Sequence, residues 1–138
     1  MPIIYPDAPR LERHPKVGNK DCVALVKEFT ILKNVSTSRW REGEPVLDNR
    51  HIAAGTVIAT FVRGRYPNRS AGNHAAFYLR PGPGGFWVID QWKSDRDKPN
   101  ITARWIPSRG AKKRDGTYPL ASDNAQAFSI VEINGAKQ

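Results

Sequence analysis

The sequence predicts an α+β domain, with one early amphipathic helix followed by consecutive antiparallel strands. Three observations carry this. Cys22, Leu25, Val26, Phe29 and Leu32 recur at helical spacing, while Lys27, Glu28 and Lys33 fall largely outside that stripe. From Thr56 onward, runs of β-branched and aromatic residues alternate with turn residues. Two of those runs are joined by Pro81-Gly82-Pro83-Gly84-Gly85, which excludes helix and predicts a hairpin. At 138 residues the chain is long enough to bury a real core, and it reads as one domain over residues 1–138.

Each element follows in order. Gly18, Asn19 and Asp21 precede the helix, and Asn or Asp there caps exposed backbone N–H groups. Residues 34–49 hold Trp40, Gly43 and Pro45 in a polar stretch that reads as a long loop with room for a short helical piece. Strands are expected over Thr56–Val62, His74–Leu79, Phe86–Trp92, Ile101–Ile106 and Ser129–Ile133, about five in all. Residues 108–118 read as a basic exposed loop, and no internal repeat is visible.

The chemistry-bearing residues fall at two element starts. Cys22, the single cysteine, opens the helix, and 52 positions later His74 stands at the mouth of a strand in Asn73-His74-Ala75-Ala76-Phe77-Tyr78-Leu79. A lone buried cysteine is more often apolar filler. Pairing with an imidazole changes that. A free thiol has a pKa of ~8.5 and is only slightly ionised near neutrality, whereas an imidazolium partner can bring it to ~3–4. A helix N-terminus adds only about 0.3–1 kcal/mol. The Cys22 backbone N–H, helped by Asn19, is the expected oxyanion donor.

Hairpin register suggests a third residue. With Arg80 opposite Phe86 across a five-residue loop, Ala76 faces Asp90 and His74 faces Trp92, so Asp90 lies diagonal to His74 on one face. Asp90 would then orient the imidazole. A slip of one residue would present Gln91 instead, and a neutral amide can serve the same role. Arg65, Tyr66, Asn68 and Asn73 are candidates for a substrate groove, with Asn19 and Gln91 beside them.

Composition bounds the rest. One cysteine permits no internal disulfide, His14 and His51 have no companions at metal-ligand spacing, and neither metal nor cofactor is implied. The opening Met1-Pro2-Ile3-Ile4-Tyr5-Pro6-Asp7 lacks a signal-peptide pattern, and no run is long enough for membrane insertion. A net charge of +9 favours anionic surroundings. Because the basic residues are scattered and accompany no nucleic-acid-binding motif, nucleic acid is not the expected partner; a basic, non-enzymatic nucleic-acid-binding domain stands as the alternative.

Asp21-Cys22-x-x-Leu25-Val26, Gly55-Thr56-Val57-Ile58-Ala59, Asn73-His74 through Leu79 and Trp87 through Trp92 resemble papain-like cell-wall amidases of the NlpC and CHAP type. The block from Gly64-Arg65-Tyr66-Pro67-Asn68 to Gly72-Asn73-His74 most resembles small type VI secretion amidase effectors, their second family. The likeness covers about residues 18–106. It implies a papain-like fold and a monomeric cysteine hydrolase of peptidoglycan peptides. It also implies export by type VI secretion machinery from the cytoplasm into a competitor's periplasm, and a cognate immunity protein in the producer. Val23-Ala24 departs from the Ser-Gly that follows the nucleophile in many NlpC-type sequences.

Overall fold

In a computed structural model of the chain, residues 2–67, 69, 72–93 and 98–133 are described. Helix α1 spans Cys22–Glu28. Six strands follow: β1 (Trp40–Pro45), β2 (Val57–Thr60), β3 (Ala75–Gly82), β4 (Gly85–Asp90), β5 (Thr102–Pro107) and β6 (Phe128–Ile133). They form one sheet in the order β1-β6-β2-β3-β4-β5, with every neighbouring pair antiparallel.

The helix is shorter than its apolar stripe. Thr30 interrupts it, donating its hydroxyl to Val26 O at 2.7 Å and accepting the Leu32 N–H at 3.1 Å. A 3₁₀ turn over Ile31–Asn34 then carries Leu32 into the core, so two short pieces bury one continuous stripe. The expected loop over 34–49 holds a further correction. Besides a short 3₁₀ turn at Thr37–Arg39 it contains β1, an edge strand in which only Trp40 is buried. Charged residues, Gly43 and Pro45 hide such a strand in sequence, and they are what an edge strand carries to avoid pairing with other chains.

The hairpin is tighter than expected. Gly82 pairs with Gly85 across a two-residue turn, with Pro83 first and Gly84 second at φ +67°, the combination a type II turn requires. Arg80 therefore faces Trp87, not Phe86. A bulge at Leu79 then absorbs one residue, so that Tyr78 faces Val88 and Phe77 faces Ile89. Carried one step further, this spacing sets Ala76 opposite Asp90, as the sequence reading required.

Both faces of the central strands are covered. Leu25, Val26 and Leu32 pack with Val57, Ala59, Phe77 and Ile89 on one side. Ile58, Ala76, Tyr78, Phe86, Val88 and Phe128 pack with Val46 and Ala125 on the other. The N-terminal segment extends the sheet by a bridge between Ile4 and Thr56. Gly55 makes that approach possible: its φ is +93°, and a Cβ there would collide with the Tyr5 backbone. Among the described residues no helix is long and apolar enough to cross a membrane.

Candidate active site

One end of the central strands gathers the site. Thr60 closes β2, His74 immediately precedes β3, Asp90 closes β4, and α1, packed on β3, brings Cys22 as its first residue. Two bonds lock His74 to β2: its N–H donates to Thr60 Oγ1 at 3.0 Å and its carbonyl accepts the Thr60 N–H at 3.0 Å. Cys22 is only 5% exposed, His74 4% and Asp90 0%. Burial of this degree strengthens every charge interaction among them.

The imidazole is hydrogen-bonded to Asp90 and shares the cleft lining with Cys22. Its Nε2 lies 2.8 Å from Asp90 Oδ2. Nδ1 is the ring nitrogen not engaged by Asp90, and the Cys22 side chain lies near enough to raise the imidazole pKa. Burial alone would depress the imidazole pKa, yet the Asp90 hydrogen bond and then the interaction with Cys22, backed by the charges of both, raise it to about 9. Asp90 moves the opposite way. Burial would raise its pKa, but the His74 hydrogen bond and charge and then Arg104 hold it below the usual carboxylate range. Both directions favour an imidazolium–carboxylate pair.

Arg104, on β5, was not among the candidates from sequence. Its Nε and Nη2 donate to Asp90 Oδ2 at 3.0 and 2.8 Å, while Nη1 donates to Asp123 Oδ1 at 2.8 Å. Arg109 holds Asp123 in turn, with Nη2 2.8 Å from its Oδ2. Asp90 Oδ2 thus accepts three donors, whereas Oδ1 is buried without a partner among the described residues. The pairing register explains the contact: Asp90 faces Thr102, so Arg104 stands diagonal to it on the same face.

The raised imidazole pKa has a consequence for stability. A group whose folded pKa of about 9 exceeds its ordinary 6.5 stabilises the fold fully below pH 6.5, and the contribution disappears as pH rises through 9. The interval corresponds to roughly 3 kcal/mol. Urea unfolding of wild type and His74→Gln at pH 6 and pH 10 checks this. The stability gap between the two proteins should shrink by about that amount at pH 10.

The other candidates separate. Tyr66 is buried with its hydroxyl 3.9 Å from Cys22 Sγ, and Asn73 Nδ2 donates to that hydroxyl at 3.0 Å. Burial, then the Cys22 charge, pushes the Tyr66 phenol pKa far upward. Gln91 is fully buried and spends its amide on the main chain: Oε1 accepts the Val17 N–H at 3.0 Å, and Nε2 donates to Val17 O at 3.1 Å and Asp21 O at 2.7 Å. It clamps the segment leading into α1 rather than facing His74. Asn19 is exposed, its Oδ1 accepting the Asp21 N–H at 3.0 Å. Arg65 is exposed too, and its backbone bridges to Val62 and Arg41. Neither lines the cleft, and Asn68 lies outside the described residues.

That cleft opens over Cys22, His74, Tyr66 and Asn73, with a volume of about 910 Å³. Its walls also carry Lys27, Arg69, Lys93, Trp92, Arg104 and Asp123. A space of this size accommodates an extended peptide.

Comparison with known proteins places the chain. The family model for domesticated amidase effector 2 matches residues 10–120. A "Type VI secretion amidase effector 2 protein" of Salmonella typhi is 47% identical over 135 residues, which is 96% of this chain and 100% of that protein. A "Domesticated amidase effector 2" of Ixodes scapularis is 40% identical over 119 residues, 85% of this chain and 74% of that protein. A solved structure of "Type 6 secretion amidase effector 2" superposes with a TM-score of 0.89 at 44% identity, covering 98% of this chain and 97% of the other. The fold is therefore that of the papain-like amidases, and these relatives give no support to a nucleic-acid-binding domain. By its sequence and by its structure alike, the chain belongs to the second family of type VI secretion amidase effectors.

Proposed function

We propose that this amidase effector is a cysteine hydrolase that cuts an amide bond in the peptide stems or cross-links of peptidoglycan. The observation that carries the proposal is that buried Cys22 and His74 line one cleft while Asp90 holds the His74 ring from behind at 2.8 Å. Cys22 attacks the amide carbonyl as the thiolate. His74 gives its proton to the leaving amine, and the resulting thioester is hydrolysed by a water whose proton His74 takes back. Asp90 acts through the imidazole, fixing its tautomer and stabilising its cation.

The charge pattern suits this substrate. Lys27, Arg69 and Lys93 on the cleft walls would attract the carboxylates of a wall peptide, and the +9 net charge would hold the protein to an anionic envelope. The whole chain would act as one domain and as a monomer, delivered into the periplasm of a target cell, with an immunity protein blocking the cleft in the producer.

Incubating purified sacculi with the protein and analysing released muropeptides by mass spectrometry tests the substrate. Products should carry a new free amine and a new carboxylate at one peptide position. A muropeptide profile unchanged after prolonged digestion would sink the proposal.

A further inference from the structure

Acyl transfer needs a donor for the negative charge on the tetrahedral intermediate, and the groups expected from sequence are engaged elsewhere. The Cys22 main-chain N–H donates to the Asp21 carboxylate at 2.7 Å. Asn19 sits outside the cleft. Among the described residues, the hydroxyl recorded beside the sulphur is that of Tyr66.

Its position is set from two directions. The Tyr66 ring packs against the fully buried Trp40, with centroids 5.0 Å apart. Its oxygen accepts from Asn73 Nδ2 at 3.0 Å. The Asn73 amide is itself oriented, since its Oδ1 accepts the Arg69 N–H at 3.1 Å. A phenol oxygen that accepts from Asn73 keeps its own proton to donate. At 3.9 Å the Tyr66 hydroxyl is far for a bond to the thiol sulphur. An oxygen on a carbon newly bonded to that sulphur can come within hydrogen-bond reach of the Tyr66 hydroxyl. Burial also keeps the phenol protonated across any working pH, because its pKa is driven upward.

We propose that Tyr66 is a catalytic residue whose Oη–H donates to the oxyanion as Cys22 attacks, with Asn73 as its positioning residue. As the Sγ–C bond forms, the carbonyl π pair moves onto oxygen, which Tyr66 stabilises without giving up its proton. Collapse restores the carbonyl and expels the amine, which His74 protonates. The inference rests on Cys22 being the nucleophile.

Tyr66→Phe removes only the hydroxyl and retains the ring against Trp40. Two reactions of Cys22 separate the possibilities: hydrolysis of purified muropeptides, which develops an oxyanion, and alkylation by iodoacetamide, a displacement that does not. In Tyr66→Phe, kcat should fall about 10²–10³-fold with KM little changed, while alkylation keeps its wild-type rate. Hydrolysis at the wild-type rate, or equal losses in both reactions, overturns the assignment. Should Tyr66→Phe fail to fold, Asn73→Ala replaces it, again with hydrolysis reduced and alkylation intact. Undiminished hydrolysis by Cys22→Ala would defeat the nucleophile and this inference together; an active Tyr66→Phe beside an inactive Cys22→Ala would defeat only the oxyanion donor.

Discussion

Cys22→Ala should lower the rate of muropeptide hydrolysis by roughly 10⁵–10⁶-fold, because a nucleophile and its base act as a unit and removing one forfeits what both supply. The protein should still fold. Cys22 is a small side chain at the first position of α1, and losing one buried sulphur costs about 1 kcal/mol. Cys22 is also one of the two groups that raise the His74 pKa, so the alanine variant should lose less stability between pH 6 and pH 10 than wild type does. Cys22→Ser gives a parallel check, since a hydroxyl is a far weaker nucleophile at the same place. Hydrolysis by either variant above about a hundredth of the wild-type rate would mean that another group attacks the carbonyl.

Asp90→Asn should cost about 10⁴-fold in kcat, by analogy with neutralising the buried aspartate of a Ser-His-Asp triad. The reason here lies in its two unequal oxygens. If the amide oxygen replaces Oδ2, it can still accept from His74 and Arg104, but the charge that stabilises the imidazolium is gone. The amide nitrogen then occupies the place of Oδ1, a buried position that makes no hydrogen bond among the described residues. Turned the other way, its N–H groups meet the donors of Arg104. Either way Arg104 loses its buried counter-charge, and stability should fall by about 3 kcal/mol. Steady-state kinetics and urea unfolding of the same preparation measure both. A loss of less than about tenfold in kcat would show that the imidazole works without its carboxylate.

How much of this was legible in the sequence depended on how local each signal was. The helix start and the strand mouth were readable because Cys22 and His74 sit at the ends of short, strongly patterned segments. Asp90 was reached by register arithmetic alone, although the turn was read as five residues and is in fact two. β1 escaped because an edge strand buries only one side chain, so Trp40 shows no alternation with Glu42 and Glu44. Arg104 escaped for a different reason. The same diagonal argument applied one strand further would have found it, but the link between β4 and β5, residues 91–101, is too long for a tight turn to set a register. Gln91 and Asn19 were polar residues beside the nucleophile whose bonds go to backbone, an outcome that sequence spacing does not distinguish from contact with a substrate. Tyr66 and Asn73 were found from their neighbourhood, while their mutual hydrogen bond required the folded loop.

The Leu79 bulge separates the tip of the β3–β4 hairpin from its base. Lengthening or shortening the chain around Pro83 and Gly84 changes which residues meet near the tip, and a displaced bulge can take up the difference before it reaches Ala76 and Asp90. That makes the far end of this hairpin a tolerant place to graft a label or a tether, at a distance from the sulphur and the imidazole it must leave undisturbed.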